Sequence, residues 1–205
     1  MLTHLRRSVV LALFCLVFFG LVYGFAGTGV SQLLFKHQAD GSITADGSTL
    51  IGQDWTSPKF FHGRPDDFGP YAANPKEDIS GGDNPLEVCS SSVPSSCVAG
   101  ESSPTNLGPR SKVLLDNTKA LIAYWHKMGV NPTPDLVTTS GSGLDPDITP
   151  TDAYAEVPMV SKAIGLSAKV LDKLVARETN AAELGFLGSD YIDVLQLNTA
   201  LAKME

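Results

Sequence analysis

The residues best suited to chemistry gather in one glycine-rich turn, Ser140-Gly141-Ser142-Gly143-Leu144-Asp145-Pro146-Asp147. A serine nucleophile on a sharp strand-to-helix turn needs glycine two positions to either side. Neither Ser140 nor Ser142 has that setting, and only His37, His62 and His126 lie beyond the apolar N-terminal run to serve as its base. No Gly-x-x-x-x-Gly-Lys-Ser/Thr phosphate loop occurs in the chain. Asp145, Asp147, Thr149, Thr151 and Glu156 fall at positions 1, 3, 5, 7 and 12 of a would-be calcium loop, but Pro150 stands where the loop needs glycine. A helix-entry turn accounts for the same residues. The backbone at 140–143 suits an anion-binding nest, and equally a tight connection. The four histidines cluster neither with cysteine nor with one another. No catalytic constellation and no metal set emerges.

The elements that must position this turn are helices with short strands between them. Val113, Leu114, Thr118, Leu121, Ile122 and Trp125 recur at helical spacing, which predicts a helix over Lys112–Met128 ending at Gly129. Leu136-Val137-Thr138-Thr139 reads as a short buried strand. Thr149-Pro150-Thr151-Asp152 opens the next helix, with Thr as cap, Pro at the first position and an acid at the third. Pro158 should interrupt that helix or start a second segment, and Gly165 should end it. Ser167 caps a further helix burying Val170, Leu171, Leu174 and Val175. Tyr191–Leu197 reads as a strand, with Asn198 capping a short terminal helix. Nearer the N-terminus, Ser42–Thr44 and Thr49–Ile51 are strand-like. Residues 66–110, rich in Gly, Pro, Ser, Asn and Asp, form a long irregular excursion.

The whole is hung from an apolar run. Val9 to Val30 contains no charged side chain. At about 1.5 Å rise per residue, roughly 20 residues cross a hydrocarbon core about 30 Å thick. Arg6 and Arg7 precede the run and nothing basic follows until Lys36, which places residues 1–8 in the cytoplasm, 9–30 in the membrane and 31–205 outside. The alternative is a cleaved signal peptide with Gly24-Phe25-Ala26 as its processing site, but the apolar run outlasts an ordinary signal core. Gly20 and Gly24 form a G-x-x-x-G with Thr28 one turn further on, a strip against which another helix can pack closely. The fold class expected is mixed α/β, a single transmembrane helix followed by one soluble domain.

Charge narrows the function. Arg6 and Arg7 are the only formal charges before residue 31, so the remainder carries 13 basic against 22 acidic residues. That balance argues against nucleic acid and anionic lipid surfaces. Cys89 and Cys97, with seven residues between them in a Ser-rich stretch, can pair if the domain is exported. Two function classes outside transport remain on these residues: a secreted hydrolase with a cleaved signal peptide, and an acidic cation-binding module.

A series of short motifs then becomes specific. In order they are Gly20-x-x-Tyr23, Phe35-x-x-Gln38-Ala39-x-Gly41-Ser42, Leu50-Ile51-Gly52-Gln53 and Phe60-Phe61-His62-Gly63-Arg64-Pro65. Ser80-Gly81-Gly82, Asn106-Leu107-Gly108-Pro109, Asp135-Leu136-Val137-Thr138-x-Ser140-Gly141-Ser142-Gly143-Leu144-Asp145-Pro146 and Val194-Leu195-x-Leu197-Asn198 complete the set. Over nearly the whole length the chain resembles the KdpC family, one of the several membrane subunits of the Kdp potassium-transporting ATPase. The sequence departs from that pattern in residues 83–105, which separate Ser80–Gly82 from Asn106–Pro109, and in Gly24, where proline is usual. Glu156 and Ile164 likewise replace an expected glutamine and arginine.

The resemblance implies an accessory, non-catalytic subunit of a P-type potassium pump of the cell inner membrane. The phosphorylated Asp-Lys-Thr-Gly-Thr motif is absent here, so an ATP-hydrolysing subunit and an ion-conducting subunit are the expected partners, and ATP and potassium are handled by the complex. The family role it implies is that of a catalytic chaperone raising the ATP affinity of the ATP-hydrolysing subunit. With the domain outside and no phosphate loop, that assistance is expected to be indirect. The span would dock in the membrane bundle while the domain covers the outer entrance.

Overall fold

A computed structural model describes residues 2–44, 47–53, 55, 57–65 and 105–204. The chain divides into two units, residues 1–43 and 44–205.

The first unit is one helical run. Helix α1 (Leu2–Val17) passes through a π turn (Phe18–Val22) into α2 (Tyr23–Leu34), and the short α3 (Lys36–Ala39) follows. The π turn is marked by Tyr23 N–H bonding to the Phe18 carbonyl, five residues back. Leu2–Leu34 spans 33 residues, or about 50 Å. None of its residues is buried, and Phe14, Phe19, Phe25 and Leu33 all stand exposed. Such a surface is at odds with water and matched to lipid or to other helices.

The second unit is mixed α/β. Strands β1 (Ile43–Thr44) and β2 (Gly47–Ser48) pair; the later elements are α4 (Lys112–Lys127), a 3-10 turn (Pro134–Leu136), β3 (Asp147–Ile148), α5 (Pro150–Ile164), α6 (Ala168–Glu178), β4 (Ile192–Asp193) and α7 (Val194–Ala202). β3 and β4 are antiparallel, with Asp147 opposite Asp193 and Ile148 opposite Ile192. Helices α5, α6 and α7 close around one core with Leu121 and Trp125 of α4 and with Trp55, Phe60 and Phe61. α4 is capped by Ser111, whose hydroxyl accepts from Leu114 N–H, and Gly129 leaves it at a φ of 80°. α5 begins as expected: Thr149 accepts from Asp152 N–H, and Gly165 ends the helix in the left-handed region at 78°.

Several expectations are corrected. Leu136–Thr139 is not a strand. Pro134 opens a 3-10 turn, Val137 N–H and Thr138 Oγ1 both donate to the Pro134 carbonyl, and Trp125 Nε1 donates to the Leu136 carbonyl at 2.8 Å. Those local bonds leave little backbone for a ladder. The strand at the C-terminus is only Ile192–Asp193: the Asp193 carboxylate caps α7 by accepting from Gln196 N–H at 2.8 Å, so Val194–Leu197 is helical. Asn198 lies inside α7 and is not its cap. Pro158 sits within α5 without ending it. Ser167 occupies the cap position of α6 without a side-chain cap bond, and Val170 is partly exposed, the face being carried by Leu171, Leu174 and Val175. The second early strand is Gly47–Ser48, and Thr49–Ile51 is a turn.

Candidate functional site

The motif residues that the sequence spreads over a hundred positions meet around Arg64. Its guanidinium donates to the carbonyls of Thr138 and Thr139, at 3.4 and 3.1 Å, and to Thr138 Oγ1. It also lies 3.5 Å from Asp135 and 3.7 Å from Asp145. A planar fork of donors suits this work, reaching two carbonyls and two carboxylates at once. Gly52 closes the other side: its N–H donates to the Leu144 carbonyl at 2.8 Å. A β-carbon at Gly52 would stand 2.7 Å from the Asp145 carbonyl oxygen, so only glycine fits that approach. Leu50–Gln53, Phe60–Pro65 and Asp135–Pro146 are thus parts of one assembly.

Within the turn, Gly143 N–H donates to Ser140 Oγ at 2.9 Å, and the two serine hydroxyls lie 3.3 Å apart. Gly143 takes a φ of 71°. Leu144 N–H donates to Ser142 Oγ, and Asp147 N–H to the Asp145 carboxylate. Both hydroxyls hold the loop's own backbone, which is the work of a connection and not of a nucleophile. His62, which follows the Phe60-Phe61 pair, is committed elsewhere.

That commitment is to Glu156, which the sequence marks as the last position of the would-be calcium loop and as a departure from the family pattern. His62 Nδ1 lies 2.5 Å from Glu156 Oε2, and His62 N–H reaches both carboxylate oxygens at 3.1 Å. Both side chains are buried. Burial pushes the Glu156 carboxyl above its usual range, opposed by the imidazole and backbone N–H of His62. Trp125 meets the imidazole edge-on, with ring centroids 5.0 Å apart. Next door, Asn198 clamps Phe61 in both directions, accepting from its N–H at 2.9 Å and donating to its carbonyl at 2.8 Å. Neither clamp is foreseen from the sequence. The signal was a glutamate at i+7 from a helix cap on an apolar face, and an asparagine within an apolar run.

The two acids that face each other on β3 and β4 are perturbed as well. Asp147 is pushed up to about 6, first by burial and then by Asp193 and Asp145. Asp193 is raised by burial, against the pull of Gln196 and Leu195. Among the described residues no group of three metal-ligating side chains forms.

The remaining candidates separate from this assembly. Asn106–Pro109 lies exposed before α4, with Asn106 at a φ of 52° and the Gly108 carbonyl accepting from Ser111 N–H. Ser80–Gly82, Cys89 and Cys97 lie outside the described residues. Gly20, Tyr23, Gly24 and Thr28 belong to the N-terminal helix. A β-carbon at Gly20 or Gly24 would meet nothing within 4 Å, and Thr28 Oγ1 donates to the Gly24 carbonyl at 3.1 Å. In an α-helix four residues overshoot one turn, so such a row drifts around the axis. Gly20 lies within the π turn, and Gly24 and Thr28 lie in α2.

The family model for "K+-transporting ATPase, c chain" matches residues 5–203. The potassium-transporting ATPase KdpC subunit of Rhodopseudomonas palustris (strain BisB18) is 40% identical over 210 residues, covering 98% of each chain. That of Methylobacterium nodulans is 39% identical over 211 residues, covering 100% of this chain and 98% of its own. The corresponding protein of Bradyrhizobium diazoefficiens is 38% identical over 208 residues, covering 98% of this chain and 97% of its own. With matching length, the anchor-like helix and the motif assembly all in agreement, the chain belongs to the KdpC family of potassium-transporting ATPase subunits.

Proposed function

We propose that this chain is an accessory subunit that holds a potassium-uptake pump together, its helix docked among the membrane helices of the ion-conducting and ATP-hydrolysing partners and its domain on the outer face. The observation that carries this is the N-terminal helix. It offers a fully exposed apolar surface with a small-residue row at Gly20, Gly24 and Thr28, and that surface buries nothing within its own unit. Close packing against a partner helix gives such a row its use in lipid, where apolar burial alone supplies no drive. Arg6 and Arg7 orient it with the N-terminus in the cytoplasm of an inner-membrane protein.

The domain is read as carrying no chemistry of its own. Its serines bond their own loop, and His62 is held by Glu156, which disfavours the hydrolase reading. ATP binding and potassium conduction are assigned to the partners. Any assistance to ATP binding, the family's chaperone role, passes through contacts across the membrane, and the acidic exterior raises cation concentration near the entrance. In the test, Gly20→Leu and Gly24→Leu are co-expressed with the partner subunits and purified through a partner's tag. The expected result is reduced recovery of this chain with membrane insertion intact, since bulk blocks helix approach but not partitioning. Undiminished recovery of both variants would remove the docking role.

A further inference from the structure

Strands β3 and β4 set two carboxyls directly opposite one another, Asp147 and Asp193. Pairs along an antiparallel ladder alternate between bonded and unbonded. Val194 N–H donates to the Pro146 carbonyl at 3.0 Å, which makes residues 146 and 194 a bonded pair and Asp147 with Asp193 the unbonded one beside it. At an unbonded pair the α-carbons stand about 4.5 Å apart, and the two side chains leave the same face at their closest. Like charges set there repel. Asp193 is buried and Asp147 partly so, which weakens the screening by water. Asp193 has a use for its charge: Oδ1 accepts from Gln196 N–H at 2.8 Å and Oδ2 from Gln196 Nε2 at 3.3 Å, at the start of α7. Those bonds and the helix N-terminus keep the charge on Asp193 and leave the proton to Asp147.

We propose that the β3–β4 pair is a pH-dependent latch between the glycine-rich turn and α7. With a proton, the Asp147 carboxyl donates to that of Asp193 and the ladder closes; without it, two like charges face each other and the ladder loosens. The inference concerns the domain alone and does not rest on the pump reading. The charged groups around the pair come from four directions. Asp145, whose carboxylate accepts from Asp147 N–H at 3.2 Å, has Arg64 3.7 Å beyond it. α6 packs against β4, and its Lys169, Asp172, Lys173 and Arg177 are exposed while Leu171, Leu174 and Val175 are buried. α7 carries no charged residue. On α5, which follows β3, Asp152 is bonded to Thr149 and Glu156 to His62. Among the described residues neither Asp147 nor Asp193 stands in an ion pair.

Burial, then Asp193 and Asp145, push the Asp147 carboxyl up to about 6. The folded carboxyl therefore keeps its proton to higher pH than the unfolded chain does. The stability it lends is complete below the ordinary value of 3.8, falls as pH rises, and levels off beyond about 6. The latch holds more than two short strands. Asn198 of α7 clamps Phe61, and the Leu144 carbonyl, just before β3, receives the Gly52 N–H.

The test follows thermal midpoints of the full chain in detergent micelles between about pH 4 and about pH 8. Asp152 and Glu156 are raised by burial too, so the quantity read is the difference between variant and parent. Asp147→Asn, uncharged throughout and still able to donate to Asp193, should match the parent at about pH 4 and exceed it by about 2–4 °C at about pH 8. Asp193→Asn, which keeps a capping side chain for α7, should also raise the midpoint at the upper end. The double variant should gain no more than the better single one, because both changes remove the same repulsion. A difference between Asp147→Asn and parent that is equal at both ends of the range overturns the inference. So do single-variant gains that add in the double variant. Should Asp193→Asn fail to fold, the Asp147→Asn profile decides alone.

Discussion

The N-terminal helix and the Arg64 assembly treat their functional groups in opposite ways. Along Leu2–Leu34 nothing is buried, and the glycine row opens on empty space. Around Arg64 the motif residues spend themselves on each other: hydroxyls on backbone, guanidinium on carbonyls, histidine on glutamate. The difference teaches where this chain keeps its external business. In the proposed role the helix surface, which buries nothing within its own unit, is kept for a partner, whereas the hydroxyls of the glycine-rich turn hold their own loop.

That contrast can be broken most sharply at Glu156. Removing its carboxylate with Glu156→Leu strands the His62 N–H and imidazole in the core, and breaking a buried pair costs about 3–5 kcal/mol. Denaturant unfolding of the full chain should show that loss. Glu156→Gln, which keeps an acceptor, should lose less; equal losses would mean the pair is no clamp. Asn198→Ala comes next. It leaves the Phe61 N–H and carbonyl without partners, at about 2–3 kcal/mol. The same unfolding experiment checks it, and a change within error would show water replacing the amide. Gly52→Ala should cost about 1–3 kcal/mol, because the added methyl meets a backbone carbonyl that cannot turn aside. If its midpoint matches the parent, the 50–53 turn has room to retreat and the assembly is looser than its distances imply.

These losses should leave association through the helix untouched in whatever protein still folds. Conversely, leucine at Gly20 or Gly24 should leave domain stability unchanged.

Helical periods are plain in the sequence, since Leu121 and Trp125, or Leu171 and Leu174, repeat on one face whatever surrounds them. The cap at Thr149 is equally legible, being local chemistry, whereas the one read at Ser167 makes no side-chain bond. Legibility ends where a local signal competes with a distant one. Leu136–Thr139 has strand composition, but a proline two residues earlier and the Trp125 indole take up its backbone groups. Val194–Leu197 has it too, yet Asp193 starts a helix there. The Arg64 assembly is visible as separate motifs whose meeting no spacing reveals. The His62–Glu156 pair joins residues 94 positions apart, beyond the reach of any pattern.

The outer-face role turns on which side of the membrane the domain occupies, and cysteine accessibility measures that directly. A single cysteine would replace exposed Lys119 on α4, with Cys89 and Cys97 changed to serine and Cys15 left within the span. Intact cells with a permeabilised outer layer would then meet a membrane-impermeant maleimide. Labelling without lysis is the predicted result, because in the proposed orientation Arg6 and Arg7 keep the N-terminus inside and the residues after the span are exported. Labelling only after the cytoplasmic membrane is broken would put the domain on the nucleotide side and contradict the outer-face role.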